Sequence, residues 1–296
     1  MKLVKKIFPW IFGAGVIFFL IGYLVRNWQE VSAQNFELNW GYLIPSLLLL
    51  LFLFFYQTVI WRYLLVSLGE KISISEAYRI FNISNLGRYI PGKVWQILGI
   101  MYLADKKKLS KSRVGTTIVF AIVLLIFAGF IVALPSVGQV NIGRVSLAYF
   151  WFAVPVILFF IFSPKSLVAV LNYILARFKR GKLQYYPSWK QNLLVLLLYI
   201  SYWAIYGVSF YLFILSFGQN IRFADVVGVY PAASIVGYLA LFVPSGLGIR
   251  EGVVTALLSP YLPLPIATLI GLTSRLWFTA AEIISASVAL LLGVKK

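Results

Sequence analysis

The sequence predicts an all-α polytopic membrane protein with about six transmembrane helices and two re-entrant helix pairs arranged as an inverted repeat. The 296 residues are 61% hydrophobic and only 11% charged, whereas an average soluble domain is roughly 25% charged. The long segments are apolar on every side rather than along one stripe. Alternating segments of roughly ten residues, typical of a membrane β-barrel, do not occur. Helices therefore satisfy the backbone polar groups in lipid.

Six stretches reach the length of about 20 residues that a bilayer requires. Two further apolar regions, 74–105 and 224–259, each contain a proline–glycine break and predict two half-length helices, which are either re-entrant or fully spanning. The chain begins with three lysines before an apolar run, like a signal peptide, but it lacks a small-residue cleavage site. We expect an uncleaved first span. The six predicted spans lie near 7–25, 41–66, 113–134, 146–163, 190–217 and 265–292.

The basic residues that give the net charge of +18 are distributed as the predicted topology requires. With the N-terminus in the cytoplasm, 21 of the 26 basic residues fall on the cytoplasmic side and only three lie in outer connections. Such a bias is the positive-inside pattern of a multi-pass protein. We therefore expect both termini in the cytoplasm of a cell (inner or plasma) membrane. The basic excess is then explained by topology and lipid headgroups, and we expect no nucleic-acid partner.

The same topology predicts internal symmetry within a single transmembrane domain, 1–296. Repeat A covers about 1–134 and repeat B about 146–293, and the two have the same plan in opposite orientation. If the broken pairs are re-entrant, they enter the membrane from opposite sides. Interrupted helices at corresponding places in two halves point to a substrate site in a transporter.

Several classes of chemistry are excluded by composition. The chain has no cysteine and no histidine, which removes disulfides, Cys/His metal sites and histidine-dependent triads. Its eight acidic residues are scattered, and no nucleotide-binding motif is present. We expect no cofactor, no metal and no enzymatic activity, and movement of a substrate would be downhill or coupled to an ion gradient.

The two breaks place cations beside glycines at membrane depth. In each break the second half-helix begins just after the proline, and a helix N-terminus attracts anions such as phosphate. The alternative is that proline and glycine merely end helices in tight loops, with the arginines reaching the surface. The candidate substrate-binding residues in these breaks are Arg88, Pro91, Gly92, Lys93 and Trp95, and Pro244, Ser245, Gly246, Gly248, Arg250 and Glu251.

Two further candidates, Arg275 and Glu282, lie within the last predicted span. They are seven residues apart and therefore share one helix face. Charges at this depth face protein or water rather than lipid. Arg275 either contacts a phosphate headgroup or forms a structural pair, for example with Glu251. Glu282 is either a counter-charge for Arg275 or a proton-coupled group.

Two motifs carry a resemblance to a known family. The segments GRYIPGKVWQI, 87–97, and PSGLGIREGV, 244–253, resemble the lysylphosphatidylglycerol synthase transmembrane (flippase-like) family. The resemblance implies a flippase that moves a phosphate-headgroup lipid between leaflets, the lipid being an aminoacyl-phospholipid or a polyprenyl-phosphate-linked sugar. It points to Pro91, Gly92, Pro244, Gly246, Gly248, Arg250, Glu251, Gly252 and Arg275.

The sequence departs from bifunctional members of this family because it contains no aminoacyltransferase domain. We therefore expect a stand-alone member whose partners are an anionic phospholipid or a polyprenyl-phosphate lipid. A separate synthase or glycosyltransferase partner and a homodimer are left open. The alternative function is a membrane-embedded glycosyltransferase or an accessory subunit acting on polyprenyl-phosphate sugars.

Overall fold

The computed structural model describes residues 2–32, 38–90, 94–137, 141–142, 145–146, 152–177, 182–240 and 243–292, with side chains from residue 14 onward. Apart from one hairpin whose two strands have two residues each, the regular structure of these residues is helical. The helices are α1 Lys2–Arg26, α2 Trp28–Ser32, α3 Trp40–Ser67, α4 Ile74–Asn85, α5 Trp95–Lys106, α6 Lys111–Val137, α7 Ala153–Phe162, α8 Pro164–Arg177, α9 Trp189–Leu215, α10 Phe223–Val226, α11 Val229–Leu239, α12 Ile249–Leu258 and α13 Leu264–Leu291, and the hairpin pairs β1 Asn141–Ile142 with β2 Val145–Ser146.

Four of the described helices, α3, α6, α9 and α13, are long and apolar enough to cross a membrane. Each has 27 or 28 residues, which at about 1.5 Å per residue is roughly 40 Å and exceeds the hydrocarbon thickness of about 30 Å. They coincide with four of the predicted spans. The chain is therefore a multi-pass helical membrane protein.

The predicted number of six spans is not confirmed. The first predicted span, 7–25, lies within α1, a helix of 25 residues whose side chains are described only from Ala14, and that described part is a shorter apolar helix. The fourth, 146–163, corresponds to α7, which has only 10 residues. At Pro164 the chain turns by 104° into α8, so α7 and α8 form one bent span or a re-entrant loop.

The order of elements in the first part of the chain recurs in the second. In each, a long helix is followed by a short helical segment, a break, another short helix and a second long helix, and in the second part the segment before the break is divided into α10 and α11. The first long helices, α3 and α9, end in similar turns, and both turns use a glycine with positive φ, 88° at Gly69 and 72° at Gly218. Glycine adopts this conformation without the steric cost of a Cβ.

The two parts meet at the contact between α3 and α9. Ser46 and Ser209 exchange hydrogen bonds of 2.7 Å, since each hydroxyl donates to the other's carbonyl oxygen. Ten residues further along α3, the Tyr56 hydroxyl lies 2.8 Å from that of Ser201. Residue numbers rise on one helix as they fall on the other, so α3 and α9 run antiparallel.

The remaining helices pack across this contact in a reciprocal way. Helix α4 of the first part packs against α13, and α11 of the second part packs against α6. An aromatic cluster fills the core between α9, α11 and α13. It surrounds Trp277, whose ring lies 5.1 Å from that of Phe213 and 5.5 Å from that of Tyr230.

Both predicted breaks are present as interruptions between short helices. In the first, α4 continues into a 3₁₀ turn, Leu86–Tyr89, and α5 begins at Trp95. In the second, α11 is followed by a 3₁₀ turn, Pro244–Gly246, and α12 begins at Ile249. The backbone here takes positive φ at Ser245 (50°), Gly246 (66°) and Gly248 (79°). Pro91, Gly92 and Lys93 lie outside the described residues.

Candidate functional site

A cavity of about 260 Å³ lies between the two breaks and the helices around them. Its lining combines polar side chains with branched aliphatic side chains, most of them from α5 and α6. The polar lining includes Gln57, Arg88, Gln96, Ser234, Tyr238, Ser245 and Arg250, and the apolar lining includes Ile97, Ile100, Ile118, Ile122, Leu125, Ile126 and Leu239.

Arg250, at the start of α12, is fixed in place by two glycines. A Cβ on Gly237 would lie 2.5 Å from Arg250 Cγ, and a Cβ on Gly246 would lie 3.2 Å from the same atom. The stem of the arginine therefore passes through a slot that only glycines leave open. This explains why a glycine with positive φ follows Ser245.

The guanidinium of Arg250 is held by neutral groups. Its Nη2 donates to Ser234 Oγ at 2.9 Å, and its carbon lies over the rings of Tyr230 (5.2 Å) and Phe278 (4.8 Å). Such cation–π contacts contribute about 2 kcal/mol where water is excluded. Its Nε is buried without a hydrogen-bond partner, and within the described residues Arg250 forms no ion pair.

Arg88, from the first break, lines the same cavity. Its Nε lies 3.2 Å from Glu282 Oε1 and donates to the Asn85 carbonyl oxygen at 3.2 Å. The contact with Glu282 is an ion pair but is not aligned as a hydrogen bond. The ring of Phe278 lies 5.8 Å from this guanidinium and 4.8 Å from that of Arg250, so both arginines of the cavity contact the same aromatic ring.

A second ion pair lies beside the cavity. Arg275 Nη1 donates to the Ser245 carbonyl oxygen at 3.1 Å and is 3.7 Å from Glu251 Oε1. Tyr89 connects both pairs, because its hydroxyl donates to Glu282 and its ring lies 5.6 Å from the Arg275 guanidinium. Helix α13 is thus attached to both breaks through charged side chains.

The charges of this cluster do not balance. Three guanidiniums, of Arg88, Arg250 and Arg275, face two carboxylates, of Glu251 and Glu282. Both carboxylates are almost fully buried, at 1% exposure. A buried excess of positive charge is costly unless an anion compensates it. The arrangement is therefore complementary to an anion placed beside Arg250.

The structure brings most of the predicted site residues into one region. Arg88, Ser245 and Arg250 line the cavity, while Glu251, Arg275 and Glu282 form the ion pairs around it. Pro244, Gly246 and Gly248 shape the second break. Trp95 begins α5 with 47% of its surface exposed. Pro91, Gly92 and Lys93 are outside the described residues, so their place relative to the cavity is not given.

Most of the other residues around Arg250 have no motif that reveals them in the sequence. Ser234, Tyr230 and Phe278 contact Arg250, but serines and aromatics are common in membrane helices. Gly237 is revealed only by its close approach to the Arg250 side chain. Tyr89 is the exception, because it lies within the first motif, beside Arg88.

These features define a class: a multi-pass helical membrane protein whose two interrupted segments enclose a cationic, partly apolar cavity. A family model described as the lysylphosphatidylglycerol synthase TM region matches residues 10–281, so the chain belongs to this family. No curated protein matches the sequence.

Proposed function

We propose that this protein is a lipid flippase that moves a phosphate-headgroup lipid between the leaflets of a cell membrane. The observation that carries the proposal is the pair of arginines, Arg88 and Arg250, in the lining of a cavity that is otherwise largely aliphatic and aromatic. A phosphate accepts several hydrogen bonds from guanidinium groups. The aliphatic lining suits the hydrocarbon part of the same molecule. Family membership supports a lipid-related function.

The scaffold proposed for this activity is an inverted repeat of six spans. Its support is the recurring order of elements, the antiparallel course of α3 and α9, and the reciprocal packing of α4 on α13 and α11 on α6. With both termini cytoplasmic, the two breaks would approach the cavity from opposite sides of the membrane. Such an arrangement is common in transporters that alternate access around a central site.

The substrate in this proposal is either an aminoacyl-phospholipid or a polyprenyl-phosphate-linked sugar. Both contain the phosphate that the arginines would bind. Energy would come from the lipid gradient or from an ion gradient, with Glu251 or Glu282 as the protonatable group. The protein would not change the lipid chemically, and a separate enzyme would make it.

Leaflet-resolved transport in proteoliposomes tests this proposal. The probes are a fluorescent phosphatidylglycerol and a fluorescent polyprenyl-phosphate sugar, each quenched from outside to report movement. Substitution Arg250→Ala should slow transport by about 10-fold or more, because a hydrogen bond to a charged group contributes about 1.5–3 kcal/mol. Arg177→Ala, which removes an exposed arginine of α8, is the matched control.

Two outcomes would contradict the proposal. Unchanged transport after Arg88→Ala and Arg250→Ala together would show that these arginines do not form the substrate site. Absence of transport of both probes by the wild-type protein would contradict the proposed flippase function. Mass spectrometry of the recovered probes separates transport from an enzymatic role, since a flippase leaves their masses unchanged.

A further inference from the structure

The apolar side of the cavity is an ordered stripe of isoleucines. Ile118, Ile122 and Ile126 recur every four residues along α6 and therefore lie on one helix face. Ile97 and Ile100 of α5 line the same side. The two helices are joined by a short turn, and their isoleucines form an aliphatic wall of the cavity that Arg88 and Arg250 also line.

This wall passes from the interior of the protein to its surface. Ile100 and Ile118 are buried, with 2% and 4% of their surface exposed, whereas Ile97 and Ile122 are 37% and 42% exposed. Leu239, at the end of α11, also lines the cavity and is 61% exposed. In a protein that crosses a bilayer, exposed aliphatic side chains on helices face hydrocarbon. The cavity is therefore open toward the lipid on this side.

The size of the cavity limits what lies inside it. A volume of about 260 Å³ is below the roughly 300–1,000 Å³ of pockets that enclose a whole drug-sized molecule. A lipid whose phosphate lies beside Arg250 would therefore keep most of its hydrocarbon outside the cavity. The exposed Ile97, Ile122 and Leu239 are the lining residues at which its chain would reach the surface.

We propose that the opening between α5, α6 and the end of α11 is the binding site for the first methylenes of one hydrocarbon chain of the transported lipid. The proposal rests on the proposed function for the position of the phosphate beside Arg250. A soluble anion would not require an aliphatic wall that continues to the membrane surface. A lipid does, because its chain must remain in hydrocarbon while its phosphate is bound.

This site contributes orientation more than affinity. Bilayer hydrocarbon is as apolar as an isoleucine wall, so moving methylenes from lipid to the wall gains little. A bulky side chain at the opening should therefore exclude the lipid sterically and leave the binding of a small soluble anion unchanged. This difference separates a chain site from a general effect on the arginines.

Photo-crosslinking in proteoliposomes tests the chain site directly. The probe is phosphatidylglycerol with a diazirine near the carbonyl end of one acyl chain, and peptide mapping should place the label on α5 and α6. Ile122→Trp should reduce labelling by about 10-fold, an effect within the range that overpacking imposes. Ile283→Trp is the matched control, since Ile283 of α13 is 56% exposed and is absent from the cavity lining. Ile97→Trp provides a second variant should Ile122→Trp fail to fold.

The same vesicles distinguish this inference from the proposed function. Labelling at Ile97 and Ile122 without movement of the phosphatidylglycerol probe between leaflets would support the chain site and contradict transport of this lipid. Transport that continues at the wild-type rate in folded Ile122→Trp or Ile97→Trp, with labelling equal to the Ile283→Trp control, would overturn the chain site alone. Glycerol phosphate, which has no hydrocarbon chain, should bind the wild type and Ile122→Trp equally. Loss of glycerol phosphate binding together with loss of labelling in Ile122→Trp would also overturn the chain site.

Discussion

The substitution Gly237→Ala tests whether the glycine slot positions Arg250. The new Cβ would lie 2.5 Å from Arg250 Cγ and 3.0 Å from its Cδ, an overlap of about 1 Å relative to the ordinary separation of nonbonded carbons. The clash involves the stem of the arginine rather than its mobile end, and Gly246 confines the same stem from another direction. We expect a loss of about 1–3 kcal/mol in the free energy of unfolding, the usual cost of overpacking.

A double-mutant cycle isolates this effect. Arg250→Ala removes Cγ and Cδ, so Gly237→Ala should cost little in that background, which gives a coupling energy of about 1–3 kcal/mol. Thermal unfolding in detergent measures each variant. Gly115→Ala on α6 is the control, because its Cβ would meet nothing within 4 Å. Additive effects within about 0.5 kcal/mol would refute the slot.

Three further predictions concern the ion pairs and the contact between the two parts. Glu282→Gln leaves Arg88 without its carboxylate partner, so the melting temperature of the protein should fall. Phosphatidylglycerol should then raise the melting temperature of this variant more than that of the wild type. Equal stabilisation of the two proteins by the lipid would contradict an excess of positive charge in the cluster. The pKa of Glu76 is lowered from 4.5 to about 2 by the Lys107 ammonium and by hydrogen bonds at the N-terminus of α4. The stabilising effect of the Glu76 carboxylate is therefore present above pH 4.5 and lost as the pH falls toward 2. Glu76→Gln should remove that part of the acid sensitivity of thermal unfolding, and an unchanged pH profile would contradict this prediction. Replacing Ser46 and Ser209 together by alanine should cost about 1 kcal/mol, since hydrogen bonds between membrane helices average about 0.6 kcal/mol each, and no change in unfolding would show that this contact is not stabilising.

The long helices were predictable because length and hydropathy are sufficient to identify them. The spans at 41–66, 113–134, 190–217 and 265–292 each coincide with one helix of 27 or 28 residues. The region 146–163 shows the limit of this reasoning. Hydropathy shows that the residues are apolar but not how many of them form one helix: α7 has only 10 residues and ends at Phe162, before the 104° turn at Pro164.

The breaks were predictable, and so was one of the two ion pairs beside them. A proline followed within two residues by a glycine, beside cations in an apolar run, located both breaks, whereas Pro45 and Pro135 lie inside the long helices α3 and α6. The seven-residue spacing of Arg275 and Glu282 correctly predicts that both face the protein. The pairing of Arg275 with Glu251, one of the two alternatives stated from the sequence, is present at 3.7 Å, whereas Glu282 pairs with Arg88 and not with Arg275. The contact between Arg88 and Glu282 joins residues far apart in the chain, so it depends on the packing of α4 against α13 and could not be predicted from spacing.

The unequal distribution of charge between the two parts gives the cavity its chemical character. Helices α6 and α13 hold corresponding places in the two parts and begin 153 residues apart. At equivalent positions, Ile122 of α6 therefore corresponds to Arg275 of α13, and Gly129 corresponds to Glu282. Gly129 packs directly on the indole of Trp203, so no carboxylate fits there. The cavity therefore has cations from both breaks, Arg88 and Arg250, together with the isoleucine wall of α6, which holds an aliphatic side chain where α13 has Arg275. That combination suits a molecule with a charged head and a hydrocarbon chain.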